Sequence, residues 1–226
     1  MAILNKTQIL DYIKRNDIQF TPPLDGFQLQ PNSVDLRIGW SFYIPEHWHL
    51  TDEGRAAIRP DYLSSGFNKD YFKLLKLKPG QYFEILPGEF VFISTLEKVD
   101  LRSGNLMAIL YPRSSMIRRG FVIQSGVVDV NYSGHLVISL LNNTTQYLKL
   151  YPGERVCQLI FHTLTSELSP GEARKHGLSA GKYVGSTPYN LEARTDSDQE
   201  IKFIREGNIE GLKKNFPLDE YGKKKK

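Results

Sequence analysis

Four short segments place side chains able to grip phosphate or orient a water at the edges of predicted strands. Tyr111-Pro-Arg-Ser-Ser-Met-Ile-Arg-Arg-Gly120 ends a strand with an arginine, two hydroxyls and two further cations. Guanidinium and hydroxyl donors, in a turn whose backbone amides are also available, suit an oligophosphate because they spread its charge over many partners. A solvated basic turn is the plain alternative. Gly126-Val-Val-Asp-Val-Asn-Tyr-Ser-Gly134, followed by His135 to Asn142, reads as a glycine-flanked turn entering a strand. Asp129 in that turn has the chemistry to hold a ribose hydroxyl or to orient a water for attack on phosphorus. An aspartate that merely supports its own turn is the commoner use. Gly153-Glu-Arg-Val-Cys-Gln-Leu159 joins a turn, a cation and an amide at a strand start, with Arg155 paired to a carboxylate as its structural role. Gly185-Ser-Thr187 offers hydroxyls on a glycine-rich arm and says nothing alone.

These segments need a β scaffold to converge. Ile9, Leu10 and Ile13 at helical spacing, with Asn5 or Thr7 as N-cap, predict one short helix over Asn5 to Arg15. Strands are expected at Val34 to Ile38, Tyr82 to Leu86, Phe90 to Thr95, Asn105 to Tyr111, Phe121 to Gln124, His135 to Asn142 and Val156 to Leu164. Pro79-Gly80, Pro87-Gly88 and Pro152-Gly153 punctuate them. Many short strands with little helix between them argue for a mainly β fold, an antiparallel barrel or jelly-roll sandwich. One β domain over residues 1–164 follows, including the N-terminal helix and an insertion at 46–74, with a polar arm and tail over 165–226. Ile201, Ile204 and Leu212 suggest one late helix in that arm.

Composition narrows the function classes. A chain of 226 residues with 40% hydrophobic content supports one substantial core. Its formal net charge of +4 is matched by the lysine run Lys223 to Lys226, so the body is near neutral and a nucleic-acid polymer is not an expected partner. With no apolar run of membrane-spanning length and no signal-peptide pattern, the expected location is the cytoplasm, away from the membrane. Cys157 is the only cysteine, which excludes an internal disulfide and a zinc site built on several thiolates. Within Arg-Val-Cys-Gln-Leu-Ile-Phe161 it reads as a small buried hydrophobe.

Taken in order, the segments resemble the motifs of the trimeric dUTPase/dCTP deaminase family. Gln30-Pro-Asn-Ser-Val-Asp-Leu-Arg-Ile-Gly39 is similar to the first, Pro112 to Gly120 to the second, Gly126 to Gly134 to the third and Gly153 to Leu159 to the fourth. The fifth, at Gly185-Ser-Thr187, is partial. The resemblance runs from the N-terminal helix to about Thr187 and leans to the deaminase branch. It implies a homotrimer of dUTPase-type distorted jelly rolls, with active sites at subunit boundaries and Mg2+ bridging the phosphates of the nucleotide. It assigns Arg113, Ser114, Ser115 and Gln158 to the phosphate chain, Arg118 as a further phosphate candidate, and Tyr132 to the deoxyribose. Asp35 and Arg155 become a supporting carboxylate and cation, and Lys182, Tyr183, Ser186 and Thr187 the arm's contacts. No residue is expected to ligate a metal directly.

Deaminases of the family carry a glutamate ten residues beyond the third motif's aspartate, and here that position is Ser139. A serine hydroxyl has too high a pKa to shuttle protons between water and a cytosine ring. With Asp129 retained, the resemblance implies a dUTP diphosphatase releasing dUMP and pyrophosphate by water attack at the α-phosphorus. A dCTP deaminase, a bifunctional enzyme or a nucleotide binder without turnover are the alternatives. Asn131 stands where family hydrolases commonly have a second aspartate, and the fifth motif lacks their arginine and phenylalanine.

Overall fold

The computed structural model describes residues 2–61, 63, 71–173, 175–176, 179–181, 183, 185–189, 191 and 196–217. In chain order the elements are α1 (Lys6–Lys14), β1 (Ile18–Thr21), β2 (Val34–Pro45), β3 (Trp48–Thr51), β4 (Gly54–Ala57), β5 (Phe72–Lys76), β6 (Phe83–Ile85), β7 (Phe90–Leu101) and β8 (Leu106–Pro112). They continue with α2 (Ser114–Arg118), β9 (Phe121–Ile123), β10 (Gly126–Val128), β11 (Ser133–Asn142), β12 (Leu148–Leu150), β13 (Arg155–Thr163), α3 (Pro170–Ala173), β14 (Lys175–His176), β15 (Ser179–Ala180), α4 (Asp198–Arg205) and α5 (Ile209–Asn215). The fold is mainly β, a curled antiparallel sheet with the expected helix at its start.

Asn5 rather than Thr7 caps α1, its side chain accepting from the Gln8 amide while the Gln8 side chain accepts from the Asn5 amide. That reciprocal box satisfies donors the first turn would otherwise leave open. Ile9 is the buried anchor of the helix.

Nine strands form the principal sheet, ordered β10-β8-β13-β2-β7-β11-β9, with β1 on β7 and β5 on β2. Two long strands make it curl. β2 pairs with β13 through Val34 to Arg37, then with β7 and β5 from Ile38 onward. β7 carries β11 along its length and β1 at its far end. A bulge between Arg155 and Cys157 interrupts the β13 register, which is why Val156 and Cys157 are both buried although neighbours in sequence. On β11 burial alternates residue by residue, the inward set being Gly134, Leu136, Ile138, Leu140 and Asn142. Phe42, Phe161, Leu36, Ile38 and Ile93 fill the middle of the core.

Several elements lie beyond the expected strand set. β3 and β4 form an exposed hairpin within the 46–74 segment, while Phe72 to Leu74 at its end belong to β5 and join the main sheet. The late helix is two helices: Gly207, at φ +64, closes α4 before α5 begins. The lysine run from Lys223 lies outside the described residues. Among the described residues no helix is long and apolar enough to cross a membrane.

Cys157 is fully buried, and burial pushes its thiol well above the ordinary range. The folded protein should therefore consume almost no thiol reagent at pH 8, and a full equivalent in denaturant; fast labelling of the native chain would contradict this packing.

Candidate functional site

The first, second and fourth motifs meet at one buried atom. Asp35, on β2, is 1% exposed, and its Oδ2 accepts from Arg113 Nε at 2.9 Å and from Arg155 NH1 at 3.1 Å. Burial pushes this carboxyl upward, against the pull of the two guanidinium groups beside it. Arg113 NH1 also donates to the Arg155 carbonyl at 3.2 Å and approaches the Ser115 hydroxyl at 3.3 Å. Gln158 stands between Asp35 on β2 and Tyr111 on β8, accepting from the Ser33 hydroxyl at 3.2 Å.

Beyond Arg113 the chain turns into α2, where Met116 is buried and Ser114, Ser115 and Arg118 are exposed. Gly120 ends this turn at φ +86, and a Cβ there would sit 2.2 Å from Thr144 Cγ2, so only glycine fits. Arg119 is committed elsewhere, to Glu154 at 2.7 Å and to the Lys149 carbonyl. The result is a supported patch of cation, hydroxyl and amide groups facing outward.

Asp129 lies at the other end of the same strands. β10 pairs with β8 so that Val128 faces Ala108, and Arg113 is five residues further along. At a strand's rise of about 3.4 Å per residue, that puts Arg113 roughly 17 Å away. The turn around Asp129 is closed by its backbone, the Tyr132 amide donating to the Asp129 carbonyl at 3.2 Å. Asn131 takes the left-handed conformation this turn needs, at φ +59, which asparagine tolerates. The Asp129 carboxylate is thus not spent on its own turn. It is about half exposed, 3.6 Å from His176 Nδ1 on β14.

A cleft of about 1650 Å³ opens beside it, walled by Lys98, Asp100, Tyr132, Tyr183, Glu200 and Lys213 among others. The Tyr132 ring is buried, its hydroxyl donating to the His135 carbonyl at 2.9 Å, and burial pushes that hydroxyl up to about 12, so it stays un-ionised. Asp100 accepts from the Ser133 hydroxyl and pairs with Lys98 at 2.9 Å, fixing the strand that leaves the turn.

The arm docks on this end. Gly185 N–H donates to the Ser133 carbonyl at 2.7 Å, and His135 N–H to the Ser186 carbonyl at 2.9 Å. Gly134 makes room for this, since a Cβ there would meet Ser186 N at 3.0 Å and the Tyr132 hydroxyl at 2.9 Å. The Ser186 hydroxyl donates to the Tyr183 carbonyl, and Thr187 and Tyr183 are exposed. Lys182 lies outside the described residues.

Ser139 projects from the outer face of β11, opposite Phe92, which is itself opposite Tyr43 on β2. That row contains no acid. Among the described residues no three His, Cys, Asp or Glu side chains converge as a metal cage.

Five residues near these two ends have no place in the motif reading: Gln28, Glu97, Lys98, Asp100 and His176. Glu97 left a signal, because it shares the buried phase of β7 with Val99 and Leu101. His176 left none, standing in a polar arm.

Comparison with known proteins points one way. The dCTP deaminase-like family model matches residues 3–164. A protein named dCTP deaminase, dUMP-forming, from Dictyoglomus turgidum is 34% identical over 204 residues, 89% of this chain and 96% of that one. A protein of the same name from Methanosphaera stadtmanae is 33% identical, covering 88% and 97%. The crystal structure of 2'-deoxycytidine 5'-triphosphate deaminase from Agrobacterium tumefaciens superposes with a TM-score of 0.55 at 20% identity, over 72% of this chain and about half, 49%, of the other.

Replacing Asp35 by Asn leaves two guanidiniums sharing a neutral partner in a buried setting. Both arginines are about a quarter exposed and can partly rehydrate, so D35N should lose about 1–3 kcal/mol in urea unfolding rather than the cost of a sealed ion pair. An unchanged midpoint would show that the carboxylate does not organise this end.

Proposed function

The chain belongs to the dCTP deaminase-like family, and from that premise we propose that it is a dUTP diphosphatase, converting dUTP to dUMP and pyrophosphate without deaminating dCTP. Making dUMP from dCTP demands two reactions: replacement of an amine by oxygen on the ring, and cleavage between the α- and β-phosphates. The observation that carries the proposal is Ser139 in its row with Phe92 and Tyr43, which offers no group able to exchange protons with a pyrimidine at neutral pH. The half-exposed Asp129 carboxylate at the cleft suits the second reaction.

In this reading Asp129 accepts a hydrogen bond from a water and aims its lone pair at the α-phosphorus, in line with the leaving pyrophosphate. It takes the water's proton as the bond to phosphorus forms. Arg113, Ser114, Ser115 and Gln158 hold the phosphate chain, with Arg118 beside them, and Tyr132 lies against the deoxyribose. Tyr183, Ser186, Thr187 and Lys182 are the arm's contacts to the nucleotide, and backbone groups of the hairpin read the uracil. Magnesium would be held by the triphosphate itself, touching the protein only through waters, and would supply charge neutralisation and fixed phosphate geometry.

Asp129 and Arg113 are too far apart along β8 to serve one triphosphate from one chain, which supports a site completed between copies in a homotrimer. Asp129 and Tyr132 of one copy would face the phosphate-holding residues of the next.

Incubation with dUTP and, separately, dCTP in magnesium buffer should give pyrophosphate from the first and no ammonia from the second; ammonia from dCTP would defeat the choice of reaction. D129N should lose about 10²–10⁴-fold in turnover while still binding a nonhydrolysable dUTP analogue. Unchanged turnover would remove Asp129 from its role.

Co-assembly tests the shared site. D129N mixed in equal amounts with the S114A/S115A double variant should recover about one quarter of wild-type activity, because a quarter of the directional boundaries then carry both intact halves. No recovery above the separate parents would place the whole site in one chain.

A further inference from the structure

Glu97 is a buried carboxylate that the proposed reaction does not use. It is 1% exposed, on β7, at the point where β2 leaves β13 for its pairing with β7. Burying a charge there is costly unless its lone pairs are filled, and the partners fill them. Glu97 Oε2 accepts from the Arg37 backbone amide at 2.9 Å, and Oε1 accepts from Gln28 Nε2 at 2.7 Å. The Arg37 amide falls in the gap where the β2 ladder changes partner, so the carboxylate replaces a missing strand acceptor.

Gln28 passes this anchor on. Its Nε2 also donates to the Asp35 carbonyl at 2.9 Å, its backbone amide and carbonyl bond to Asp25 and Asp35, and its Oε1 accepts from the Asp25 amide at 3.0 Å. The loop so held presents the Phe27 carbonyl to Arg155 NH1 at 2.6 Å and the Asp25 carboxylate to Arg37 NH2 at 2.6 Å. Arg37 in turn donates to the Gly153 carbonyl at 2.6 Å, in the turn that leads into Arg155. The Phe27 carbonyl that holds Arg155, and the Asp35 carboxylate that holds Arg155 and Arg113 together, are therefore tied to one buried carboxylate on β7.

We infer that Glu97, acting through Gln28, is a positioning residue for oligophosphate binding: it sets the loop and strand that aim Arg155 and Arg113, and never touches the ligand. This rests on the reading that the Arg113, Ser114, Ser115 and Gln158 patch holds phosphates. A glutamine at 97 keeps the shape but has one acceptor where two donors point, so its amide meets either Gln28 or Arg37 donor to donor. Exchanging the pair, with Gln28→Glu and Glu97→Gln together, restores the complementarity except for the bond to the Asp35 carbonyl.

The test is titration of the full-length protein with inorganic tripolyphosphate by calorimetry, beside thermal midpoints and dUTP kinetics. E97Q should bind tripolyphosphate about tenfold more weakly, and its KM for dUTP should rise about tenfold while kcat stays within about twofold, the scale of one lost buried hydrogen bond. The exchanged pair should return to within about threefold of wild type in affinity. Unchanged affinity in E97Q overturns the inference, as does an exchanged pair no better than E97Q in folding or in binding. Wild-type protein that binds tripolyphosphate but leaves dUTP intact defeats the proposed hydrolysis and leaves this inference standing; wild-type protein that binds no tripolyphosphate removes the phosphate patch and this inference with it.

Discussion

Segments that lie far apart in the chain meet at the Oδ2 atom of Asp35. Arg113 follows β8 as the N-cap of α2, Arg155 opens β13, and Asp35 lies on β2; the shared carboxylate brings the two cations together and offsets their repulsion. Two guanidiniums this close would push each other apart in a medium that screens poorly, and a buried aspartate would be costly without them. Each charge makes the others tolerable. That mutual dependence gives the outward patch of Ser114, Ser115, Arg118 and Gln158 a rigid base, because a five-residue helix such as α2 has too few bonds of its own to hold a shape.

Strand geometry then decides what this base can reach. β8 acts as a ruler, with the patch around Arg113 at one end and the turn of Asp129, held through β10, near the other. A β-strand is nearly inextensible, so the two ends keep a backbone separation that one triphosphate chain does not bridge in the proposed reaction. In the proposed chemistry this separation favours assembly: gripping groups and water-orienting group would come from different copies, and closed symmetry would supply as many complete sites as subunits. The arm that docks against Ser133 and His135 then lies on the Asp129 half of such a site.

The alternation and turn residues of the chain were enough to read the mainly β class, the N-terminal helix and seven of the strands. The elements that escaped are those whose existence depends on a partner far away. Ile18 to Thr21 is a strand only because β7 lies beside it, and Phe72 to Lys76 only because β2 does. The resemblance marked Asp35 and Arg155 as a supporting carboxylate and cation but set Arg113 apart on the phosphate chain; that Arg113 shares the same carboxylate follows from strand pairing. The distance between Asp129 and Arg113 left none, because strand register is not written in either segment. Glu97 lay between: its place in the buried phase was visible beside Val99 and Leu101, but its partners Gln28 and Arg37 follow from the partner switch of β2.

The departures from the family pattern carry unequal weight once the turn is seen in space. Asn131 takes the place of a second aspartate at φ +59, a conformation that asparagine and aspartate both tolerate, so the exchange leaves the backbone path around Asp129 intact. What it removes is a negative charge on the turn that, in the proposed reaction, must face a polyanion; the nearby Asp100 is already neutralised by Lys98. Fewer like charges ease the approach of phosphate without touching the carboxylate that orients water. Serine at 139 differs in kind, because no neighbour in its row has a pKa from which a proton could be borrowed. In the proposed reading the first exchange adjusts the field around Asp129, while the second removes a proton-exchanging side chain at position 139, and their opposite consequences are what would separate hydrolysis from deamination.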